Sequence, residues 1–376
     1  MQSILHARSV GVHKHRLVAM TMALAVLLAL VSTPVSSAHP TTDHEVEVLT
    51  DIPYTDPVPE TTLGNLLDLY LPDVPGHRKL PLIIWSDGSA WFSDEGKAGA
   101  VNIAAIFNQK GYAVAGVSVR SSSQVAFPGQ LYDVRAAIRF LRKNAKAYGL
   151  DPHRFAIMGN SSGGWLTAIA GTTSDVRRLP GEPHSRVSSG VQVAVPFFPP
   201  TDFLEMNGWY VDHPEVFSFI DHDAPLAPLA PPWTFPAASP ESLLVGCTDD
   251  AGNLLSIQVC PDETEEANPI SYVIGREVPM LILHGEADPL VPNGQSVLLY
   301  EALKETRNKA IFISVAGAGH SVSEPSPVGE PVLNAEEFTV FITRHGHELI
   351  TTKRFAPTWE TIERFIRVKL AVRSFR

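Results

Sequence analysis

Ser161 lies in the run Gly159-Asn160-Ser161-Ser162-Gly163, between an apolar segment (Arg154 to Met158) and a helix-like one (Gly164 to Ala170). A serine flanked by glycine at −2 and +2, on a turn from a buried strand into a helix, is placed to act as a nucleophile. The turn is so tight that a Cβ at either flank would collide with the neighbouring strand or helix, which accounts for the glycines. The hydroxyl is thereby lifted clear of the strand. The Ser162 amide is left at a helix start, where a developing oxyanion is stabilised. Only that amide is asked of Ser162, so Ser162→Ala is expected to keep most activity. The plainer reading of the same five residues is a Gly-rich turn.

A serine hydroxyl at neutral pH is barely nucleophilic and needs a base, and the base needs an orienting acid. A nucleophile presented in this way is followed along the chain first by the acid and then by the histidine. Val278 to Leu283 reads as a buried strand running into His284-Gly285-Glu286-Ala287-Asp288-Pro289, and Ala310 to Val315 as the next, running into Ala316-Gly317-Ala318-Gly319-His320. A helix-like segment from Gln295 to Thr306 separates them, the spacing of adjacent parallel strands whose following loops share one sheet edge. Among fourteen histidines most are surface or capping residues. His320 is set apart by its place in chain order and by the glycines before it. Glu286 competes with Asp288 as the acid. Asp288 is preferred because Pro289 and Pro292 stiffen the loop beyond it, and His284 reads as a loop-fixing residue.

An earlier strand, Leu80 to Trp85, runs into Ser86-Asp87-Gly88-Ser89-Ala90-Trp91. With this segment added, the chain resembles the α/β-hydrolase serine esterases, near their bacterial feruloyl-esterase-like and hormone-sensitive-lipase-like branches. In those relatives the strand ends in a His-Gly-Gly-(Gly or Ala)-Trp loop whose amides hold the oxyanion. By position Gly88 and Ser89 match the loop glycines and Trp91 the tryptophan. The resemblance thus implies backbone donors at Gly88, Ser89 and Ser162, and a substrate-binding role for Trp91. Asp87 stands where the family has histidine and Ser89 where it has glycine. A carboxylate beside an oxyanion would repel it, so Asp87 must point away or be neutralised. Tyr132 to Arg142, then Tyr148 to Pro152, resemble the helix and turn before the nucleophile in these esterases. Asp133 and Arg135 there read as structural, on a solvated or capping face. The implied fold is α/β: a mostly parallel central sheet flanked by helices, with an irregular Pro-rich cap insertion over about residues 197–270. The likeness runs from about residue 45 to the C-terminus.

The 376 residues suit one large α/β domain with an insertion, and 44% hydrophobic against 18% charged residues suits a sizeable buried sheet. A net charge of −11 argues against a nucleic-acid partner. Neither a zinc-type Cys/His cluster nor a phosphate-binding Gly-rich loop ending in Lys is present, so no metal or cofactor is expected. Residues 1–38 read as a secretory signal peptide: His13-Lys14-His15-Arg16, an apolar run from Leu17 to Val31, then Ser36 and Ala38 before a cut after Ala38. The run is short for a spanning helix, and an uncleaved anchor is the alternative. Removing it leaves 26 basic against 40 acidic residues, a net −14, and no membrane attachment. In an oxidising compartment Cys247 and Cys260, thirteen apart, are expected to pair. Closing such a loop stabilises by roughly 3 kcal/mol and would pin the end of the cap near the acid-bearing strand. Two separately buried thiols are the alternative.

From Phe197 to Pro240 the chain is dense in proline and aromatics, and no period survives it. An irregular lid over the active site is the expectation, within a single catalytic domain of residues 39–376. Thr339 to Thr343 and Glu348 to Thr352 suggest a hairpin, and Pro357 to Glu360 open a last helix with Ile362, Phe365, Ile366 and Leu370 on one face. The expected activity is hydrolysis of short-chain or aromatic carboxylic esters, free or polymer-linked, through Ser161, His320 and Asp288. The same three residues would serve a secreted amidase or peptidase, or an arylformamidase. A non-catalytic binding module on this fold is the reading from another class.

Overall fold

The computed structural model describes residues 45–74, 79–183, 185–206, 239–352 and 354–372. The expected leader and the cap aromatics from Trp209 to Phe235 lie outside the described residues. Ten strands form one sheet: β1 (Val46–Pro53), β2 (Leu66–Pro72), β3 (Leu80–Ser86), β4 (Ala113–Val117), β5 (Leu150–Asn160), β6 (Val193–Phe197), β7 (Met280–Gly285), β8 (Ala310–Val315), β9 (Phe338–Arg344) and β10 (His347–Thr351). Their spatial order is β1-β2-β4-β3-β5-β6-β7-β8-β9-β10. The six from β4 to β8 run parallel, and antiparallel pairs close both ends. The sheet is mostly parallel, as the resemblance implied.

The parallel strands read as unbroken apolar runs because both of their faces are covered. Within β3, Leu82 and Ile84 point into one core layer while Ile83 and Trp85 point into the other. Phe155 and Ile157 of β5 oppose Ala156 and Met158 in the same way. The first layer is filled by α2 (Gly129–Lys143), α3 (Ser162–Thr172) and α6 (Gly294–Glu305); the second by α1 (Ala100–Phe107) and α7 (Trp359–Val372). In α7 the four expected residues, Ile362, Phe365, Ile366 and Leu370, are buried. β9 and β10 form the expected hairpin, turning through His345 and Gly346, both with positive φ. Among the described residues no helix is long and apolar enough to cross a membrane.

One expectation is corrected. Asp133 and Arg135 are structural but not solvated, at 4% and 1% exposure. Arg120 grips Asp133 with Nε and Nη2 at 2.9 and 2.8 Å. Arg135 donates to Glu182 at 2.8 Å, and Arg139 bonds the same carboxylate. Burial pushes the Glu182 carboxyl up, but hydrogen bonds from Arg139, Arg135 and the Leu179 amide outweigh it and bring the pKa down to about 2. The helix carries these charges inward because each meets an opposite charge from a loop.

The described part of the cap includes the short helices α4 (Pro240–Val245) and α5 (Pro261–Ala267). Cys247 and Cys260 form a disulfide between the end of one and the start of the other. The bond joins two cap helices to each other. The tie to the central helix α3 comes from Trp165, whose indole donates to Ala267 O at 2.8 Å.

Candidate active site

Because β3 to β8 run parallel, the loops after them gather at one sheet edge. Ser161 follows β5 directly and precedes α3. Its φ is +54° and ψ −125°, a conformation that costs a non-glycine residue of order 1–3 kcal/mol and needs its surroundings to enforce it. They do: Ser161 N donates to Phe197 O at 3.0 Å, and Trp165 N to Ser161 O at 2.8 Å. A Cβ on Gly159 would stand 2.5 Å from Gly163 O, and one on Gly163 would stand 2.1 Å from Ser86 O. Both flanking glycines are therefore required by backbone contacts.

Asp288 and His320 follow β7 and β8 and meet. His320 Nδ1 lies 2.7 Å from Asp288 Oδ2, while Oδ1 accepts the Leu290 and Val291 amides at 2.8 and 2.9 Å. Burial alone would push this carboxyl up. The charge of His320 and hydrogen bonds from His284 and His320 outweigh that and hold it well below the usual carboxylate range. It remains an anion able to orient an imidazole. The His320 ring packs on Phe198 with centroids 4.3 Å apart, and Phe198 follows β6 at the same edge. Among the described residues no hydrogen bond links Ser161 Oγ to His320. Glu286, the competing acid, takes a hydrogen bond from Ser314 Oγ at 2.8 Å. His284 is fully buried: Nε2 reaches Val291 O at 2.8 Å and Nδ1 reaches Ser296 Oγ at 2.7 Å. It fastens both ends of the Asp288 loop.

The loop after β3 lies against Ser161, for a Cβ on Gly88 would stand 2.4 Å from the Ser161 Cβ. Asp87 points away: Oδ1 accepts the Trp85 indole at 3.0 Å and Oδ2 the Gly99 amide at 2.5 Å. Burial raises its carboxyl pKa. The donor set departs from expectation. Gly88 N donates to Asn160 Oδ1 at 2.5 Å, and Ser89 N to Ser162 Oγ at 2.8 Å. Of the three expected amides, that of Ser162 alone has no acceptor among the described residues, and the Ala90 amide also has none. The reason is residue type: Asn160 and Ser162 bring short side-chain acceptors to either side of Ser161. Trp91 is 6% exposed and edge-on to Trp165 and Phe203, each at 5.6 Å. It is packed into a wall behind the site, and among the described residues its indole nitrogen has no hydrogen-bond partner. Asn160 and Phe198 were not singled out from sequence. An acceptor side chain beside Ser161 was the available signal for Asn160, while Phe198 was hidden among the cap aromatics.

The BD-FAE family model matches residues 67–303. Esterase LipQ of Mycobacterium tuberculosis is 28% identical over 257 residues, 68% of this chain and 52% of LipQ. The chain spans about half the length of the curated relatives it matches. Among solved structures, a truncated form of a carbohydrate esterase from gut microbiota is 31% identical with a TM-score of 0.58, covering 75% of this chain and 91% of that one. A bifunctional GH43-CE protein of Bacteroides eggerthii is 32% identical with a TM-score of 0.57, covering 73% of this chain and 32% of that one. The fold is the α/β-hydrolase fold of such esterases.

Proposed function

The chain belongs to the BD-FAE family, and on that premise we propose that it is a serine carboxylesterase. The observation that carries the reading is the His320–Asp288 pair at 2.7 Å, at the same sheet edge as a serine held at φ +54°. With Nδ1 engaged by the carboxylate, Nε2 is the nitrogen left to act as base. It takes the Ser161 proton as Oγ attacks the ester carbonyl, then returns it to the leaving alcohol. Asp288 orients the ring and stabilises the imidazolium without taking the proton. Water, activated by His320 in the same way, releases the acid from the acyl-enzyme.

Short acyl groups of about two to six carbons, or flat aromatic ones, are the proposed substrates, a size that a compact pocket encloses. The interlocked and buried Trp91, Trp165 and Phe203 rings support this reading, as a rigid apolar packing under the Ser161 turn. Carbohydrate-linked esters fit the names of the solved relatives. Export is also proposed, on the leader-like residues 1–38 and on the disulfide. N-terminal sequencing of protein from the culture medium should begin at His39. The test of the activity is a panel of aryl esters with acyl chains of increasing length. Turnover of butyrate or ferulate esters is expected, and none on any ester would overturn the proposal.

A further inference from the structure

The side chain of Ser162 is held in a way that its neighbours' needs do not explain. It is 6% exposed, at the first position of α3, and Oγ accepts the Ser89 amide at 2.8 Å. A hydroxyl also carries a donor proton, and among the described residues the Ser162 proton has no acceptor. Oγ therefore stands where a substrate oxygen would stand if the Ser89 amide were itself the donor. We infer that the Ser162 hydroxyl is a catalytic residue, donating a hydrogen bond to the oxyanion in place of the Ser89 amide. This inference rests on the esterase reading above.

Three features favour it. Accepting the Ser89 N–H polarises the hydroxyl and strengthens it as a donor. The backbone amide of the same residue, at the helix N-terminus, has no acceptor among the described residues, so one residue offers two donors to one oxygen. On the other side of the nucleophile, Asn160 Oδ1 occupies the Gly88 amide, which removes the second loop donor and leaves charge to be stabilised by Ser162 and the Ala90 amide. During attack the Ser161 Oγ–carbonyl carbon bond forms, the carbonyl π pair moves onto oxygen, and the Ser161 proton passes to His320. The Ser162 proton stays on its own oxygen throughout. The role differs from the expectation that only the backbone of Ser162 matters.

The experiment compares the parent chain with Ser162→Ala and Ser162→Cys, the latter keeping the volume with a weaker donor. kcat and KM are measured on a butyrate ester, together with the inhibition constant of phenylboronic acid. Its boron bonds to Ser161 Oγ, becomes tetrahedral, and places one of its oxygens at the same donors. Removing one oxyanion donor lowers kcat by on the order of 10²–10³. Ser162→Ala should lose about 10²-fold in kcat, with KM changed little, and bind phenylboronic acid more weakly by a similar factor, at an unchanged melting temperature. Ser162→Cys should follow the same direction. Parental kcat and boronate affinity in either variant would overturn the inference and return the donor role to the Ser89 amide. A parent chain that hydrolyses no ester would overturn it together with the esterase reading, so the two failures are distinguishable.

Discussion

Two histidines share the Asp288 carboxylate, His320 at 2.7 Å and His284 at 3.4 Å from the same oxygen. They differ in what surrounds them. His320 stands beside the nucleophile turn on a ring contact with Phe198. His284 is sealed in, with both nitrogens committed to Ser296 and Val291. A carbonyl can only accept, so His284 Nε2 carries a proton, and that proton also faces Asp288. Replacing His284 with Phe keeps the volume but leaves Ser296 Oγ and Val291 O unpaired, which costs about 1–3 kcal/mol per buried group. His284→Phe is expected to lower the melting temperature and kcat together, with KM less affected, because the Asp288 loop loses its fastening. Thermal melts and steady-state kinetics check this, and a variant matching the parent in both would contradict it. Ser161, Asp288 and His320, the proposed nucleophile, acid and base, could be picked out from sequence because each follows an apolar strand in a fixed chain order. The two clamps on the loop amides could not, because they depend on which way Asn160 and Ser162 turn.

The elements divide into those that sequence periodicity reveals and those that need a tertiary partner. Strands β3, β5, β7 and β8 are legible as apolar runs because both faces are covered. Helix α2 is legible as a helix, but its charged residues read as a solvent face until Arg120, from the loop just before it, and Glu182, from a loop well beyond it, meet them. The cap resists reading because proline erases the period that a helix or strand would show. Within its described part, the Cys247–Cys260 bond is the main covalent constraint. Replacing both cysteines with Ser should lower stability by up to about 3 kcal/mol on the loop-entropy estimate while leaving Ser161 reactive. A melting temperature equal to the parent's would count against a stabilising role. The Ser161 turn should be far less forgiving. In Gly163→Ala the added methyl meets the Ser86 carbonyl at 2.1 Å, and backbone cannot yield as a side chain can. Loss of soluble folded protein, or of ester turnover, is the expected result.

Across the whole molecule, acid stability and substrate range follow from the same architecture. Glu182 has a pKa of about 2 in the folded protein, against about 4.3 for an unperturbed Glu. A depressed carboxyl contributes stability above its unfolded value and loses it as pH falls through the folded one. Unfolding free energy should therefore drop between about pH 5 and pH 2, and Glu182→Gln should flatten that fall; an unchanged slope in denaturant melts would contradict the assignment. The ratio of kcat/KM for a butyrate or ferulate ester to that for a palmitate ester should exceed one, and a smaller ratio would refute the compact pocket while sparing the proposed roles of Ser161, His320 and Asp288. The central claim is that Ser161 is the acylated nucleophile. It is tested most directly by treating the intact protein with an organophosphonate and locating the adduct by mass spectrometry. One phosphonyl group on Ser161 is expected, with no adduct and no ester turnover in a folded Ser161→Ala variant. A label on Ser162 or elsewhere, or turnover that survives in Ser161→Ala, would contradict it.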